Sequence, residues 1–212
     1  MQKIILASGN AGKLKEFQHL LGEYNFDVCP QSDYAVGSVA ETGLSFVENA
    51  LIKARHASKI TGLPAIADDS GIEVDALNGE PGIYSARFAG LNATDQQNNE
   101  KLLQALQGVS EEKRTARYQC VLVYMRHALD PTPIIAQGAW EGLIMQSPSG
   151  DGGFGYDPLF WVPTHQMSSA ELAKDEKNRI SHRAIAMQKL LAAMTQQNVA
   201  EPSTNKPPTN KP

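Results

Sequence analysis

The first part of the chain alternates between continuous apolar runs and apolar residues at helical spacing. Residues 3–7 form a continuous apolar run, which is typical of a buried strand. Residues 27–30 indicate a further strand. Between these two segments a helix is predicted, because apolar residues recur at helical spacing at Leu14, Phe17, Leu20 and Leu21.

A second amphipathic helix is predicted over residues 44–59. Ser45 and Glu48 fit a capping box, although the helix could begin as early as Thr42. Its apolar face is predicted to consist of Leu44, Val47, Ala50, Leu51 and Ala54.

An acidic segment then separates two predicted short strands, residues 63–67 and 72–76. Asp68 and Asp69 stand back to back between them, followed by Ser70 and Gly71. Adjacent carboxylates raise at least one pKa unless a cation shares the site. Mg²⁺ prefers hard oxygen ligands of this kind. Because Asp, Ser and Gly also form turns, the segment predicts either a polar turn or a metal site at a strand end.

The rest of the chain predicts a surface helix over residues 94–106, several strands and a terminal helix. The strands are predicted at residues 116–125, 134–136 and 138–144, with antiparallel neighbours. Residues 169–178 are polar and helix-prone. Ser181 is a good N-cap for the last helix, whose apolar positions are Ile185, Met187, Leu190, Leu191 and Met194. The pattern favours a mixed α/β or α+β domain with a long twisted sheet and flanking helices.

Composition and charge narrow the function. The 212-residue chain suits one domain over residues 1–197, followed by a Pro-, Thr-, Asn- and Lys-rich tail, 198–212, that is predicted to be disordered. The formal net charge of −4 argues against broad binding of nucleic acid. No apolar run approaches the roughly 18 residues of a membrane span. The two cysteines are far apart and no signal-peptide pattern opens the sequence, so a cytoplasmic location is expected.

The loop after the first predicted strand is a candidate anion site. Residues 8–13 place small residues and Lys13 before a helix N-terminus, where backbone N–H groups and the helix dipole favour phosphate. The loop is not a Walker A motif, which needs glycine at Ala7 and Ser or Thr at Leu14. A plain strand-to-helix turn explains the same residues.

Further polar residues are predicted to surround this loop. Asn49 and Lys53 are four apart and share a helix face, and Glu41 precedes that helix. Together they could serve a metal and a phosphate, or form a solvated face. Ser85 and Arg87 would face the same side of an extended segment, where Arg87 could bind phosphate or form a surface ion pair.

A glycine-rich segment, residues 150–158, predicts a loop that wraps closely around a ligand. Phe154 and Tyr156 could stack on a planar base, and Asp157 could accept a hydrogen bond. The alternative is a flexible loop whose aromatic residues lie in the core. Lys177, His182 and Arg183 form a donor-rich cluster near the start of the last helix, where such clusters are most often solvated.

Six motifs in register resemble the inosine triphosphate pyrophosphatase family over residues 1–195. They are Ser8-Gly9-Asn10 with Lys13, Glu41 with Asn49-Ala50 and Lys53-Ala54, Ala67-Asp68-Asp69-Ser70-Gly71, Pro81-Gly82 with Ser85-Ala86-Arg87, Gly153-Phe154-Gly155-Tyr156-Asp157-Pro158, and Ser181-His182-Arg183. The resemblance implies an elongated mixed sheet with two lobes around a nucleotide cleft, usually in a homodimer. It implies Mg²⁺-dependent hydrolysis of dITP, ITP and XTP to the monophosphate and pyrophosphate, which keeps deaminated purines out of DNA and RNA.

The resemblance also implies roles for single residues. Asp69 matches the general base and metal-associated carboxylate, and Asp68 and Glu41 would complete the acidic metal environment. Donors from Lys177, His182 and Arg183 would pair with the 6-oxygen of hypoxanthine or xanthine and face the amino group of adenine unfavourably. The substrate-binding residues it implies are Ser8, Gly9, Asn10, Ala11, Gly12, Lys13, Asn49, Lys53, Ser70, Arg87, Phe154, Gly155, Tyr156, Asp157, Lys177, His182 and Arg183.

Three other functions fit parts of the sequence. A related pyrophosphatase for pyrimidine or modified-base nucleotides would be recognised by its substrate panel. A nucleotide sensor that does not hydrolyse would release no pyrophosphate, although the intact Asp68-Asp69 pair argues against it. A nucleic-acid-binding module is disfavoured by the net charge, and a salt-sensitive gel shift would reveal it.

Overall fold

A computed structural model describes residues 1–22 and 24–197, so the predicted tail lies outside the described residues. The seven strands are β1 (Gln2–Leu6), β2 (Phe26–Pro30), β3 (Ala65–Val74), β4 (Thr115–Met125), β5 (Ile134–Ile144), β6 (Phe160–Val162) and β7 (Met167–Ser168). The α-helices are α1 (Ala11–Gly22), α2 (Phe46–Thr61), α3 (Asp95–Ala105), α4 (Lys174–Ile180) and α5 (His182–Gln196). One sheet holds the strands in the order β2-β1-β3-β4-β5-β6-β7. The predicted mixed α/β class, with a mixed sheet and flanking helices, is confirmed.

The winding of the chain reverses at β1. This strand pairs in parallel with β2 on one side and with β3 on the other, while the remaining pairs are antiparallel. Phe17 of α1 packs with Ile4 on one face of the sheet. Ala50 of α2 packs with Ile5 on the opposite face. The carboxyl end of β1 is therefore a topological switch point, the place where open α/β sheets bind ligands.

The predicted break between two short strands at the acidic segment is wrong. β3 is continuous, and each of its ten residues pairs with β4, from Ala65 opposite Met125 to Val74 opposite Ala116. The long antiparallel ladder outweighs the turn preference of the local sequence. Gly71 is required by a close approach instead, because a Cβ there would lie 2.4 Å from the carbonyl oxygen of Gly82.

β5 is likewise one strand, although its antiparallel pairing with β4 is as predicted. Gly138 interrupts its apolar pattern because α5 crosses the strand at that point. A Cβ on Gly138 would lie 2.1 Å from the carbonyl oxygen of His182 and 2.6 Å from the amide nitrogen of Ala186. The glycine therefore allows the start of α5 to rest directly on the sheet.

Two local predictions need correction. Ser45 caps α2 as predicted, accepting a hydrogen bond from the Glu48 amide, but Leu44 precedes the helix and is 84% exposed, so it is not on the apolar face. Residues Gly82–Arg87 form a 3₁₀ helix instead of an extended segment, so Ser85 and Arg87 do not share a side. Within residues 1–22 and 24–197, no helix is long and apolar enough to span a membrane.

Candidate active site

A cavity of about 310 Å³ opens where β1 ends and β3 continues beyond it, paired with β4. Its walls come from the loop after β1, the irregular segment before α2, α2 itself and β3. The lining residues are Ala7, Ser8, Gly9, Asn10, Lys13, Gln31, Gly37, Ser38, Val39, Glu41, Lys53, His56 and Asp68. The structure thus brings together seven of the predicted site residues, although they lie up to 60 positions apart in the chain.

The loop after β1 is ordered by its own side chains. The Oδ1 atom of Asn10 accepts hydrogen bonds from the amides of Gly12 at 2.8 Å and Lys13 at 3.1 Å. Ser8 Oγ accepts from the Asn10 amide at 3.2 Å. Ala11 and Gly12 open α1, whose N-terminal dipole therefore borders the cavity and favours an anion there.

Asp68 forms an ion pair with Lys13 of α1. Its Oδ2 lies 2.5 Å from Lys13 Nζ, and its side chain is almost fully buried. Burial alone would raise the pKa of Asp68, but the charges of Lys13, Arg183 and Lys53 outweigh it and hold the pKa below its ordinary value. Asp68 is therefore ionised at neutral pH. Ser70, two positions further along β3, faces the same side of the sheet.

Asp69 points to the other face, toward α2. Lys53 Nζ lies 2.7 Å from Asp69 Oδ1 and 2.8 Å from Glu41 Oε1, so one ammonium group lies between two carboxylates. Burial raises the pKa of Asp69, and the nearby charge of Glu41 adds to this. The opposing effects of Lys53 and the Asn49 amide are smaller, so the net shift is upward. Arg87 borders the same group, 3.9 Å from Glu41.

The predicted metal environment of Asp69, Asp68 and Glu41 is divided between the two faces of the sheet, with Asp69 and Glu41 on one face and Asp68 on the other. Adjacent residues of a strand point to opposite faces, so Asp68 and Asp69 each have a lysine of their own. Among the described residues, no three His, Cys, Asp or Glu side chains converge as a metal cage. Glu41 and Asp69 still fit a divalent cation, since they already flank the Lys53 ammonium. Mg²⁺ is usually held by one or two carboxylates, with water and phosphate oxygens completing its shell.

A second group of predicted residues is centred on the buried carboxylate of Asp157. It accepts hydrogen bonds from Ser169 Oγ at 2.9 Å, from the Phe154 amide at 2.8 Å and from Lys177 Nζ. Tyr118 donates a further bond at 3.3 Å. Phe154 itself is 61% exposed, and Lys177 Nζ lies 5.5 Å from the centre of its ring. The exposed ring is therefore free to stack on a planar ligand.

His182 joins the two groups. Its ring stacks on Tyr118 with centroids 4.8 Å apart and an interplanar angle of 14°. Burial lowers the pKa of His182 well below its ordinary value, and the charges of Arg183, Lys177 and Lys13 lower it further, so the imidazole is neutral. Its Nδ1 atom is buried and, among the described residues, has no hydrogen-bond partner. Such an atom calls for a ligand or water.

Tyr156 differs from the rest of this group. It is buried, and its hydroxyl donates a 2.8 Å hydrogen bond to the carbonyl oxygen of Ser85. Its ring therefore packs in the core, as in the alternative interpretation of this loop, and does not offer a stacking face.

Sequence reasoning missed several residues of these two groups. His56 lines the cavity, and its spacing of three from Lys53 and seven from Asn49 would have placed it on the same helix face. Gln31, Ser38 and Val39 lie in a region with no periodic signal. Tyr118 and Ser169 reach Asp157 from distant parts of the chain, and no local pattern marks them.

An open sheet with a helix N-terminus and two acid–lysine pairs at its switch point is typical of α/β proteins that bind phosphorylated ligands. A sequence model described as the Ham1 family matches residues 4–193. The chain belongs to the Ham1 family.

Individual relatives agree with this assignment over almost the whole chain. A Photobacterium profundum protein named dITP/XTP pyrophosphatase is 62% identical over 194 residues, which are 92% of this chain and 98% of the relative. A Vibrio cholerae protein of the same name is 58% identical over 93% of this chain and 98% of its own length. The solved structure of a HAM1 protein from Coxiella burnetii is 49% identical and superposes with a TM-score of 0.89, covering 92% of this chain and all (100%) of the other.

Proposed function

We propose that the protein hydrolyses the nonstandard purine nucleoside triphosphates dITP, ITP and XTP to the nucleoside monophosphate and pyrophosphate. The observation that carries this proposal is the Asp69–Lys53–Glu41 group beside an anion-binding loop. Relatives that are 56–62% identical to the chain bear the name dITP/XTP pyrophosphatase, which supports the same activity here. Removal of these nucleotides would keep deaminated purines out of DNA and RNA.

The phosphate chain would lie in the cavity at the end of β1. Lys13, the Asn10 side chain and the loop amides that do not donate to Ser8 or Asn10 would bind its oxygens, with Lys53 and Arg87 on the opposite side. Asn49, buried under this side, would hold its wall in place, since its Oδ1 accepts a 2.9 Å bond from the Gly43 amide. Hydrolysis of phosphoric anhydrides depends mostly on such positioning and charge stabilisation.

Asp69 would act as the general base. A water molecule attacks the α-phosphorus, its proton passes to the Asp69 carboxylate, and the bond to the α–β bridging oxygen breaks, releasing pyrophosphate. The raised pKa of Asp69 suits this role, because a carboxylate that resists ionisation accepts a proton more readily. Asp68, whose pKa is lowered, would remain an anion and keep Lys13 in place.

Glu41 and Asp69 are the residues that would hold Mg²⁺, with Asp68 contributing through water. Bound there, the ion would offset the charge of the triphosphate and align its oxygens. Lys53 would then turn from the two carboxylates toward a phosphate.

The base would stack on Phe154 and face the Asp157 group. Lys177, Arg183 and the neutral His182 could donate to the 6-oxygen of hypoxanthine or xanthine. Adenine places an amino group at that position, and each buried donor left unpaired costs about 1–3 kcal/mol. Two such donors are enough for strong discrimination against ATP.

The test is pyrophosphate release from dITP, XTP, dATP and dGTP, each with Mg²⁺ and with EDTA. We expect rapid, Mg²⁺-dependent release from dITP and XTP alone. Release from all four would retain the chemistry and overturn the account of base choice. Binding of dITP without release from any of the four would instead indicate a nucleotide sensor.

A further inference from the structure

Helix α3 binds the glycine-rich loop through the backbone N–H and C=O groups of Gly155. Asp95 Oδ2 accepts a 2.6 Å hydrogen bond from the Gly155 amide. Asn99 Nδ2 donates a 2.8 Å hydrogen bond to the Gly155 carbonyl oxygen. The polar stretch of α3 is thus more than a solvated helix face, because two of its side chains hold the segment that carries Phe154.

Gly155 is well placed to transmit this contact. Its φ of +63° is left-handed, and it stands between the exposed Phe154 and the core residue Tyr156. The Phe154 amide donates to Asp157 Oδ2, so the turn from Phe154 to Asp157 is closed upon itself. A shift of the Gly155 peptide would therefore move the stacking ring and the carboxylate that binds Lys177 together.

Helix α3 is itself held in place by hydrogen bonds to neighbouring segments. At its C-terminal end, the buried Arg114 donates to the carbonyl oxygens of Leu106 at 2.9 Å and Met145 at 3.1 Å. Near its middle, Asn98 Oδ1 accepts from the Ala89 amide at 2.8 Å. Asn98 Nδ2 also donates to the carbonyl oxygen of Ala86 at 3.3 Å. The helix is therefore hydrogen-bonded to the backbone before and after Arg87.

We propose that Asp95 and Asn99 are positioning residues that set the geometry of the base-binding subsite. The inference rests on the proposed function, since it takes Phe154 and Asp157 to face a purine. It assigns no contact with substrate to either residue. Their loss should weaken binding of the base and leave binding of the phosphates unchanged, because the phosphate cavity is built from the loop after β1, α1, the segment before α2, α2 and β3.

Isosteric variants separate this role from general stability. Asn99→Asp replaces the donor to Gly155 by an acceptor, so two oxygens would face each other. Asp95→Ala, which is not isosteric, removes the oxygen that accepts from the Gly155 amide. Gln97→Glu is the matched charge control, because it adds a negative charge to the same helix and can still accept from the Thr94 amide, as Gln97 does at 2.8 Å.

The readout is the affinity of each full-length variant for inosine monophosphate and, separately, for inorganic pyrophosphate with Mg²⁺, measured by calorimetry. We expect Asn99→Asp to bind inosine monophosphate about tenfold more weakly, equivalent to about 1.4 kcal/mol, with unchanged pyrophosphate affinity. The dITP-to-dATP ratio of kcat/KM should fall in parallel. Asp95→Ala should show the same selective loss of inosine monophosphate affinity, whereas Gln97→Glu should resemble the wild type.

Two results would overturn the inference. One is unchanged affinity of Asn99→Asp for inosine monophosphate, and the other is an equal loss of affinity for both ligands. The proposed function is judged separately, by pyrophosphate release from dITP by the wild-type protein. A protein that hydrolyses dITP while Asn99→Asp behaves like Gln97→Glu would keep the function and lose the positioning role.

Discussion

Asp68 and Asp69 are chemically identical neighbours, yet their pKa values move in opposite directions. Both carboxylates are buried, so desolvation raises both values. Asp68 faces three cations, whereas Asp69 shares Lys53 with Glu41, whose negative charge opposes ionisation. The direction in which each side chain points from the strand therefore decides which carboxylate stays ionised and which can take up a proton.

Asp69→Asn should reduce kcat by about 10²–10⁴-fold, because the amide cannot accept the proton of the attacking water. Affinity for pyrophosphate without Mg²⁺ should remain, since Lys13 and the loop after β1 are untouched. Steady-state kinetics and calorimetry measure the two effects. Asp75→Asn is the control, because that carboxylate lies in a surface ion pair with Arg117. Near-normal turnover of Asp69→Asn would remove this residue from the mechanism.

Asp68→Asn should lower the free energy of unfolding at pH 7 by about 1–3 kcal/mol in EDTA, because the partly buried Lys13 loses its charged partner. The folded-state pKa of Asp68 lies below the unfolded value. Its contribution to stability is therefore complete above the unfolded pKa, about 3.9, and is lost as pH falls through the lower folded pKa.

Urea unfolding at a series of pH values measures this dependence. The difference in unfolding free energy between wild type and Asp68→Asn should narrow as the solution becomes acidic. A difference that is constant with pH would show that the Asp68 charge is not its source.

At the scale of elements, local signals were sufficient where one segment determines its own structure. The apolar run of β1, the Ser45 cap of α2 and the Ser181 cap of α5 were all predictable. The continuity of β3 was not, because its pairing with β4, some fifty residues later, overrides the turn-forming Asp-Asp-Ser-Gly sequence. The need for glycine at position 138 was also not predictable from sequence, because it arises from the close approach of α5 to β5.

Gly138→Ala should therefore weaken base binding, although Gly138 is not itself a proposed site residue. The added methyl group would press α5 away from β5 and shift His182, at a cost of about 1–3 kcal/mol in stability. We expect a lower Tm and a larger loss of affinity for inosine monophosphate than for pyrophosphate. Ala139→Ser, on the exposed side of the same strand, is the control. An unchanged Tm would contradict the close packing of α5 on β5.

At the scale of the whole molecule, the site is a meeting point of two helical layers. Lys13 comes from α1 on one face of the sheet and Lys53 from α2 on the other, and both border the same cavity. The topology explains why residues so distant in sequence converge there. The two-lobed shape, the homodimer and the 1–197 domain boundary implied at the outset stay predictions.

A ligand that bridges the layers should stabilise the entire fold. With pyrophosphate and Mg²⁺ at 100 times the dissociation constant, linkage predicts about 2.7 kcal/mol, or a Tm increase of about 5–10 °C. Scanning calorimetry against chloride of equal ionic strength measures it. Lys53→Met should diminish the increase, and no increase in the wild type would argue against phosphate binding in this cavity.

The opposite orientation of the two aspartates has a consequence for the newly made chain. The Asp68–Lys13 pair forms only when α1 has packed on the sheet, and the Asp69–Lys53 pair forms only when α2 has packed on the opposite face. A partly folded molecule therefore lacks at least one of the two ion pairs. Turnover is thereby coupled to completion of the fold. Partly folded chains in the cell would leave the nucleotide supply untouched, and hydrolysis would begin only when both layers are in place.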